Sequence, residues 1–271
     1  EYHVDAVKKG EKVFEDAFQG VSRMILDAGI QKITVKGKTT YQFDLFSQGK
    51  KHLIGMYDEI NSLVSFVKDA SEGGSSREMA FVLVGEPGNG KTFLVEYLCA
   101  RYREFLTIPE NRKHTFRFVN LDKLGGYGKI AFIESQTYED PMILAMSLDE
   151  TKEGSMAYLS KKFKFNSRQI DDLYEKYRPL GACSAYIWNQ IREACDNDIA
   201  KMLSFIEITQ VPLIESLGTI TGKYPAKDKI TSSAVDLMGE ESIQRLLHIA
   251  DSNNPYRFDL RRGALARVAG G

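Results

Sequence analysis

The segment that most restricts the fold is Gly85 to Thr92, which reads GEPGNGKT. It lies between an apolar run, Met79 to Val84 (MAFVLV), and a run of helical character, Phe93 to Phe105 (FLVEYLCARYREF). An octet of the form GxxxxGK followed by Ser or Thr carries chemical meaning only where it leaves a buried strand and opens a helix, and both flanks are present here. The unbroken apolar hexamer fits a strand covered on both faces of a parallel sheet. Gly85, Gly88 and Gly90 open backbone conformations closed to residues with a Cβ, so successive N–H groups can turn inward as an anion-binding nest. The positive end of the following helix adds to that field. Glu86, Pro87 and Asn89 complete the loop, with Pro87 stiffening it. Lys91 is placed to reach the β- and γ-phosphates of a nucleotide. Thr92 is placed to join the shell of a Mg²⁺ whose other ligands are waters and phosphate oxygens. The plain alternative is a glycine turn with an exposed lysine, which the two flanks disfavour.

The remaining composition fits a globular host for such a loop. A chain of 271 residues, 43% hydrophobic and 27% charged, is neither disordered nor fibrous. Its formal charge of −1 provides no global basic field, so neither nucleic acid nor an anionic membrane is an expected partner. No apolar run approaches the roughly 18 to 20 residues of a bilayer span. The three cysteines, Cys99, Cys183 and Cys195, lack CxxC spacing and the four histidines are scattered. Reduced packing residues of a cytoplasmic protein are therefore expected rather than disulfides or a zinc site. The first residue is Glu1 rather than Met, as in a trimmed piece of a longer chain.

Residues 1 to 30 keep three- and four-residue apolar spacing, which predicts a helical lead-in stopped by Gly29. Gln31 to Tyr41 predicts a hairpin or extended arm turning at Lys36-Gly37-Lys38. A second helix follows Gly55-Met56-Tyr57, with Ile60, Leu63, Val64 and Val67 on one face, and ends in the loop Ser71 to Ser76. Thr115 to Leu121 reads as a strand, Ser147 to Leu173 as charged helical pieces, and Ser184 as the cap of a helix running to Cys195 around a core Trp188. Phe205 to Val211 and Leu213 to Thr221 alternate like two strands split by Pro212.

A nucleotide-hydrolysing loop also needs an acid at the end of a second strand. Asp149 and Glu150 close MILAMSLDE, although the preceding Pro141 and the Met- and Ser-rich run suit an apolar helix face with a solvated acidic end somewhat better. Asp122, Glu139 and Asp140 are further acids that no spacing selects. Arg261, Arg262 and Arg267 could sense phosphate or simply be surface charges. Lys161 to Phe165 could grip a nucleic-acid strand, but a solvated helix face with two buried Phe is the better fit.

Beyond the loop, the chain resembles the N-terminal AAA-type nucleotide-binding domain of the PrkA-type serine protein kinase family. The resemblance runs through MILDAG at 24–29, YQFDLF at 41–46, HLIGMYDEINSLVSFVKDA at 52–70 and YEDPMIL at 138–144. It continues through IESLGTITGKYPAKDK, VDLMGE and SNNPYRFDLRRGALARVAGG in the last quarter. The resemblance implies an α/β P-loop NTPase of AAA type. A helical lead-in and arm would span 1–50 and a nucleotide-binding domain 51–271, with a parallel-sheet core and an inserted helical segment at about 145–200. HLIGM at 52–56 resembles the strip that cups adenine, which implies base contacts by Ile54 and Gly55. ATP and Mg²⁺ are the implied cofactors, a protein substrate the implied partner, and self-assembly into a homo-oligomer is open. The implied activity is ATP-dependent serine/threonine protein phosphorylation, with Lys91 as the catalytic cation. In the family's order the acidic strand follows the segment resembling Gly263 to Gly271. Asp149 and Glu150 are then decoys, and the core is expected to be incomplete at the C-terminus. Two alternatives stand beside this reading: an AAA-type ATPase that remodels protein partners, and a non-catalytic ATP-responsive module.

Overall fold

The computed structural model describes residues 1–48, 52–53, 55–128, 130–215, 218–222, 234–258 and 260–268. In chain order the elements begin with helices α1 (Tyr2–Lys8) and α2 (Ala17–Asp27), strands β1 (Ile30–Val35) and β2 (Lys38–Phe43), and helices α3 (Asp44–Ser47), α4 (Tyr57–Ser71) and α5 (Lys91–Phe105). Strands β3 (His114–Val119) and β4 (Phe132–Glu134) lead into helices α6 (Pro141–Ala145), α7 (Lys152–Phe163), α8 (Ser167–Glu175), α9 (Ala182–Ala194) and α10 (Ile199–Leu203). Strand β5 (Ile206–Gln210), α11 (Ala234–Met238), β6 (Gly239–Glu241), α12 (Ile243–His248), β7 (Leu260–Arg262) and α13 (Ala264–Val268) complete the series. The chain is mixed α/β, in two compact units: residues 15–108, and residues 1–14 with 109–271.

Within 15–108, α2 starts on a reciprocal cap. Asp16 accepts from the Gln19 N–H at 2.9 Å, and Gln19 Oε1 accepts from the Asp16 N–H at 3.1 Å. That cap, with Gly10 at φ +75°, divides the single lead-in helix expected over 1–30 into α1 and α2. The apolar faces of α2 (Met24, Ile25) and α4 (Ile60, Leu63, Val64, Val67) are buried, and the two helices pack together. Of the hairpin or extended arm expected here the hairpin forms, pairing Ile30 with Phe43 through Val35 with Lys38. Its two turn residues, Lys36 (φ +50°) and Gly37 (φ +78°), are both left-handed, as a tight hairpin turn requires.

The expected buried strand before the glycine loop is absent. Met79 to Val84 pairs with no strand, and Met79, Val82 and Val84 are 62%, 73% and 89% exposed. Unbroken apolar sequence predicts burial on two faces of a sheet, but a strand forms only beside a hydrogen-bonded partner, and this segment has none among the described residues.

In the other unit, β3 is the centre of a three-stranded sheet in the order β4-β3-β5, antiparallel on both sides. Phe116 and Phe118 project from it into a core with Ile187, Trp188 and Ile191 of α9. A second cluster joins Val4 of α1 to Met142, Met146, Met156, Leu159 and Phe163. Every strand pairing among the described residues is antiparallel, so the parallel-sheet core expected from sequence is not seen. The helical segment expected around 145–200 is present as α7 to α10. Of the two strands expected around Pro212, only β5 forms; the described part of Leu213 to Thr221 is irregular. Gly181, not Ser184, is the N-cap of α9. The Ser184 hydroxyl instead donates to the buried Glu139 carboxylate, which also accepts from Ser135 Oγ and the Gly181 N–H, each at 2.7 Å.

Candidate functional site

The glycine loop folds as a turn that ends in a full-length helix. Gly88 (φ +88°) and Gly90 (φ +74°) occupy left-handed conformations, and Gly90 is the residue from which α5 departs. Such conformations cost a residue with a Cβ about 1–2 kcal/mol, so the sequence pattern and the backbone agree here. α5 runs 15 residues, long enough for its aligned peptide dipoles to present partial positive charge at Lys91 and Thr92. Residues 85–89 are exposed, and no acidic side chain opens the first turn of α5.

Lys91 folds back over the loop. Its ammonium donates to the Gly85 carbonyl at 2.7 Å and the Glu86 carbonyl at 2.5 Å. Its positive charge is thereby held against the loop backbone. Thr92 is exposed, and its hydroxyl has no hydrogen-bond partner among the described residues. No group of three His, Cys, Asp or Glu side chains among the described residues could hold a metal. A Mg²⁺ that keeps its waters and rides on nucleotide phosphates needs only one or two protein ligands, which the Thr92 hydroxyl fits.

Helix α5 is anchored by buried Leu94, Tyr97 and Tyr102. The Tyr97 hydroxyl donates to the Leu45 carbonyl of α3 at 2.7 Å, and the Tyr97 and Phe46 rings lie 6.2 Å apart. The helix after the glycine loop is thereby tied to the segment that follows the hairpin. Between β2, α3 and the start of α4 lies a small cleft open to solvent, with room for about 10 Å³, lined by Phe43, Phe46, Ser47, Gly55, Met56 and Tyr57 among others. Met56 forms a wall of this cleft and also touches the loop, since a Cβ on Gly90 would stand 3.3 Å from its sulfur. Gly55, expected to contact a base, does line the cleft at φ +80°; Ile54 lies outside the described residues. Sequence reasoning missed Phe43, Phe46, Ser47 and Met56. Their only mark was membership of YQFDLF-SQ and HLIGM, which flank the turn into α4.

The candidate acids all belong to the unit of residues 1–14 and 109–271. Met142, Leu144, Ala145 and Met146 are buried on α6 and the turn after it, so MILAMSLDE is an apolar helix face and not a strand. Asp149 organises the start of α7: its carboxylate accepts from the Thr151 N–H at 3.0 Å and the Thr151 hydroxyl at 3.1 Å. Those two bonds hold its pKa below the ordinary aspartate value. Glu150 is exposed in the same turn, and Asp122 is exposed after β3. Asp140 caps α6 and sits 3.2 Å from His3 Nε2. Arg261 and Arg262 belong to β7, and Arg267 to α13, where its Nε donates to the Gly263 carbonyl at 3.3 Å. In the basic run, Phe163 and Phe165 are buried while Lys161, Lys162 and Lys164 are exposed. Trp188 is 1% exposed. Among the described residues no helix is long and apolar enough to cross a membrane.

Comparison with family models, with curated proteins and with solved structures returns no match.

Proposed function

We propose that the chain binds Mg-ATP at Gly85 to Thr92 and belongs to an AAA-type P-loop domain that supports ATP-dependent serine/threonine phosphorylation of protein. The observation that carries the nucleotide reading is the turn itself, with two left-handed glycines, Lys91 held against the loop backbone, and a 15-residue helix departing from its last glycine. In this reading the loop N–H groups and the α5 terminus hold the β- and γ-phosphates. Lys91 exchanges its two carbonyl partners for phosphate oxygens, and Thr92 joins the cation's shell. The kinase and AAA assignments rest on the resemblance to the PrkA-type family.

The test is calorimetric titration of Mg-ATP into the wild-type chain and the Lys91→Ala variant. Incubation with γ-labelled ATP and an acceptor protein follows, scored for free phosphate and labelled serine. Loss of one charge-assisted phosphate contact predicts weaker binding by about 2–4 kcal/mol in the variant. Unchanged affinity in a folded variant sinks the loop assignment. A non-catalytic ATP-responsive module is the second reading. It is favoured by the engagement of Asp149 with Thr151 and of Glu139 with Ser135, Ser184 and Gly181, which leaves neither acid poised over a nucleophile. Binding without either product supports it.

A further inference from the structure

Ser47 carries an anomaly that the proposed phosphate site does not use. Its hydroxyl oxygen is fully buried yet has no hydrogen-bond partner among the described residues, and Ser47 lines the cleft beside the loop. A buried hydroxyl without a partner is unfavourable by about 1–3 kcal/mol, and such groups usually have an occupant to bond. The surroundings favour an aromatic occupant. Phe43, Phe46 and Tyr57 supply ring surface, and the cleft is contiguous with the phosphate loop through the contact of Met56 with Gly90. As it stands the cleft has room for only about 10 Å³, roughly one water. A planar ring must therefore displace lining side chains, and the unbranched Met56 thioether is the one that moves at least cost.

We propose that Ser47 is the base-reading residue of the nucleotide site, its hydroxyl bonding the edge of a heteroaromatic base whose phosphates lie on Gly85 to Thr92. The proposal rests on the nucleotide reading above. A hydroxyl both donates and accepts, so Ser47 can bond any base with a polar edge and adds nothing to the binding of a ligand that has no base.

The experiment compares Mg-ATP with Mg-tripolyphosphate, which keeps the phosphates and lacks the base, on wild-type chain and on Ser47→Ala and Ser47→Thr. Ser47→Ala is expected to weaken ATP about five- to tenfold and leave tripolyphosphate unchanged, with Ser47→Thr, which keeps the hydroxyl, recovering most of the loss. The tripolyphosphate arm reports whether each variant is folded at the loop. Equal weakening of both ligands makes Ser47 a structural residue and overturns the proposal. An unchanged ATP affinity means that a lone water satisfies the hydroxyl, and also overturns it while the loop assignment stands. If the wild-type chain binds neither ligand, the nucleotide reading falls and takes this proposal with it.

Discussion

At Gly90 two independent constraints meet on one residue. A Cβ there would have to accept φ +74° and would press on the Met56 sulfur at 3.3 Å, whereas a Cβ on Gly88, at φ +88°, would meet nothing within 4 Å. Gly88→Ala should therefore show conformational strain alone, about 1 kcal/mol, and Gly90→Ala about 1–2 kcal/mol with a further loss of ATP affinity as Met56 shifts. Urea denaturation followed by far-ultraviolet circular dichroism separates the two, and equal costs would show that the Met56 contact is soft. Glu139 poses the opposite problem, a 9% exposed carboxylate surrounded by donors. Ser135 Oγ, Ser184 Oγ and the Gly181 N–H all point at it, so an amide in its place turns one acceptor into a donor facing a donor. Glu139→Gln should destabilise by about 1–3 kcal/mol in urea titrations read by Trp188 fluorescence; a neutral result would mean that the amide finds a flipped arrangement that satisfies all three.

Among the elements, legibility followed the locality of the signal. The hairpin was readable because Lys36-Gly37 is a two-residue turn between strands that need nothing else to pair, and α4 because Ile60, Leu63, Val64 and Val67 mark one face. The break between α1 and α2 was not read, although Asp16 and Gln19 stand at capping-box spacing, because apolar spacing continues across it. β4 is three residues long and carries no periodicity to detect. Met79 to Val84 shows the limit most sharply, since composition specifies that a segment can be buried but not that neighbours arrive to bury it. The Ser47 cleft was invisible for a related reason. It is assembled from β2, α3 and the turn into α4, and a lone serine after an apolar run has no pattern. Caps are local enough to predict in the other direction. Asn166 accepts from the Gln169 N–H at 2.9 Å while Gln169 reaches back to the Asn166 N–H at 3.0 Å. Asn166→Ala should therefore cost about 1 kcal/mol, visible as faster hydrogen exchange in the first turn of α8 and little change in α9. Equal acceleration in both helices would mean that the cap supports the whole bundle.

Among the described residues, acid sensitivity should begin at one place. His114 lies at the start of β3, half-buried, with its Nδ1 on the Arg112 carbonyl at 2.9 Å and its ring 5.4 Å from that of His3. Burial first, then the positive charge of Lys12 and the neighbouring His3, lower its pKa, outweighing the opposing pull of the Arg112 carbonyl and Asp140. A base whose folded pKa is depressed is protonated more readily in the unfolded chain. The unfolded state therefore binds more protons between the lowered folded value and the ordinary value of about 6.5, and stability rises with pH across that window. Its contribution is complete above about pH 6.5 and is lost as the pH falls toward the folded value. The exposed carboxylates behave differently. Asp149, Asp198, Asp251 and Glu207 are held below their ordinary values by hydrogen bonds to Thr151, Lys201, Tyr186 and Arg117 respectively, so what they contribute is present above about pH 4 and fades only below it. Between pH 7.5 and 5.5, then, the slope belongs to the histidine. Urea titrations monitored by Trp188, which reports the same unit as His114, should show stability falling over that interval in the wild type and a flatter profile in His114→Gln. A variant that keeps the full slope would show that His114 is not its source.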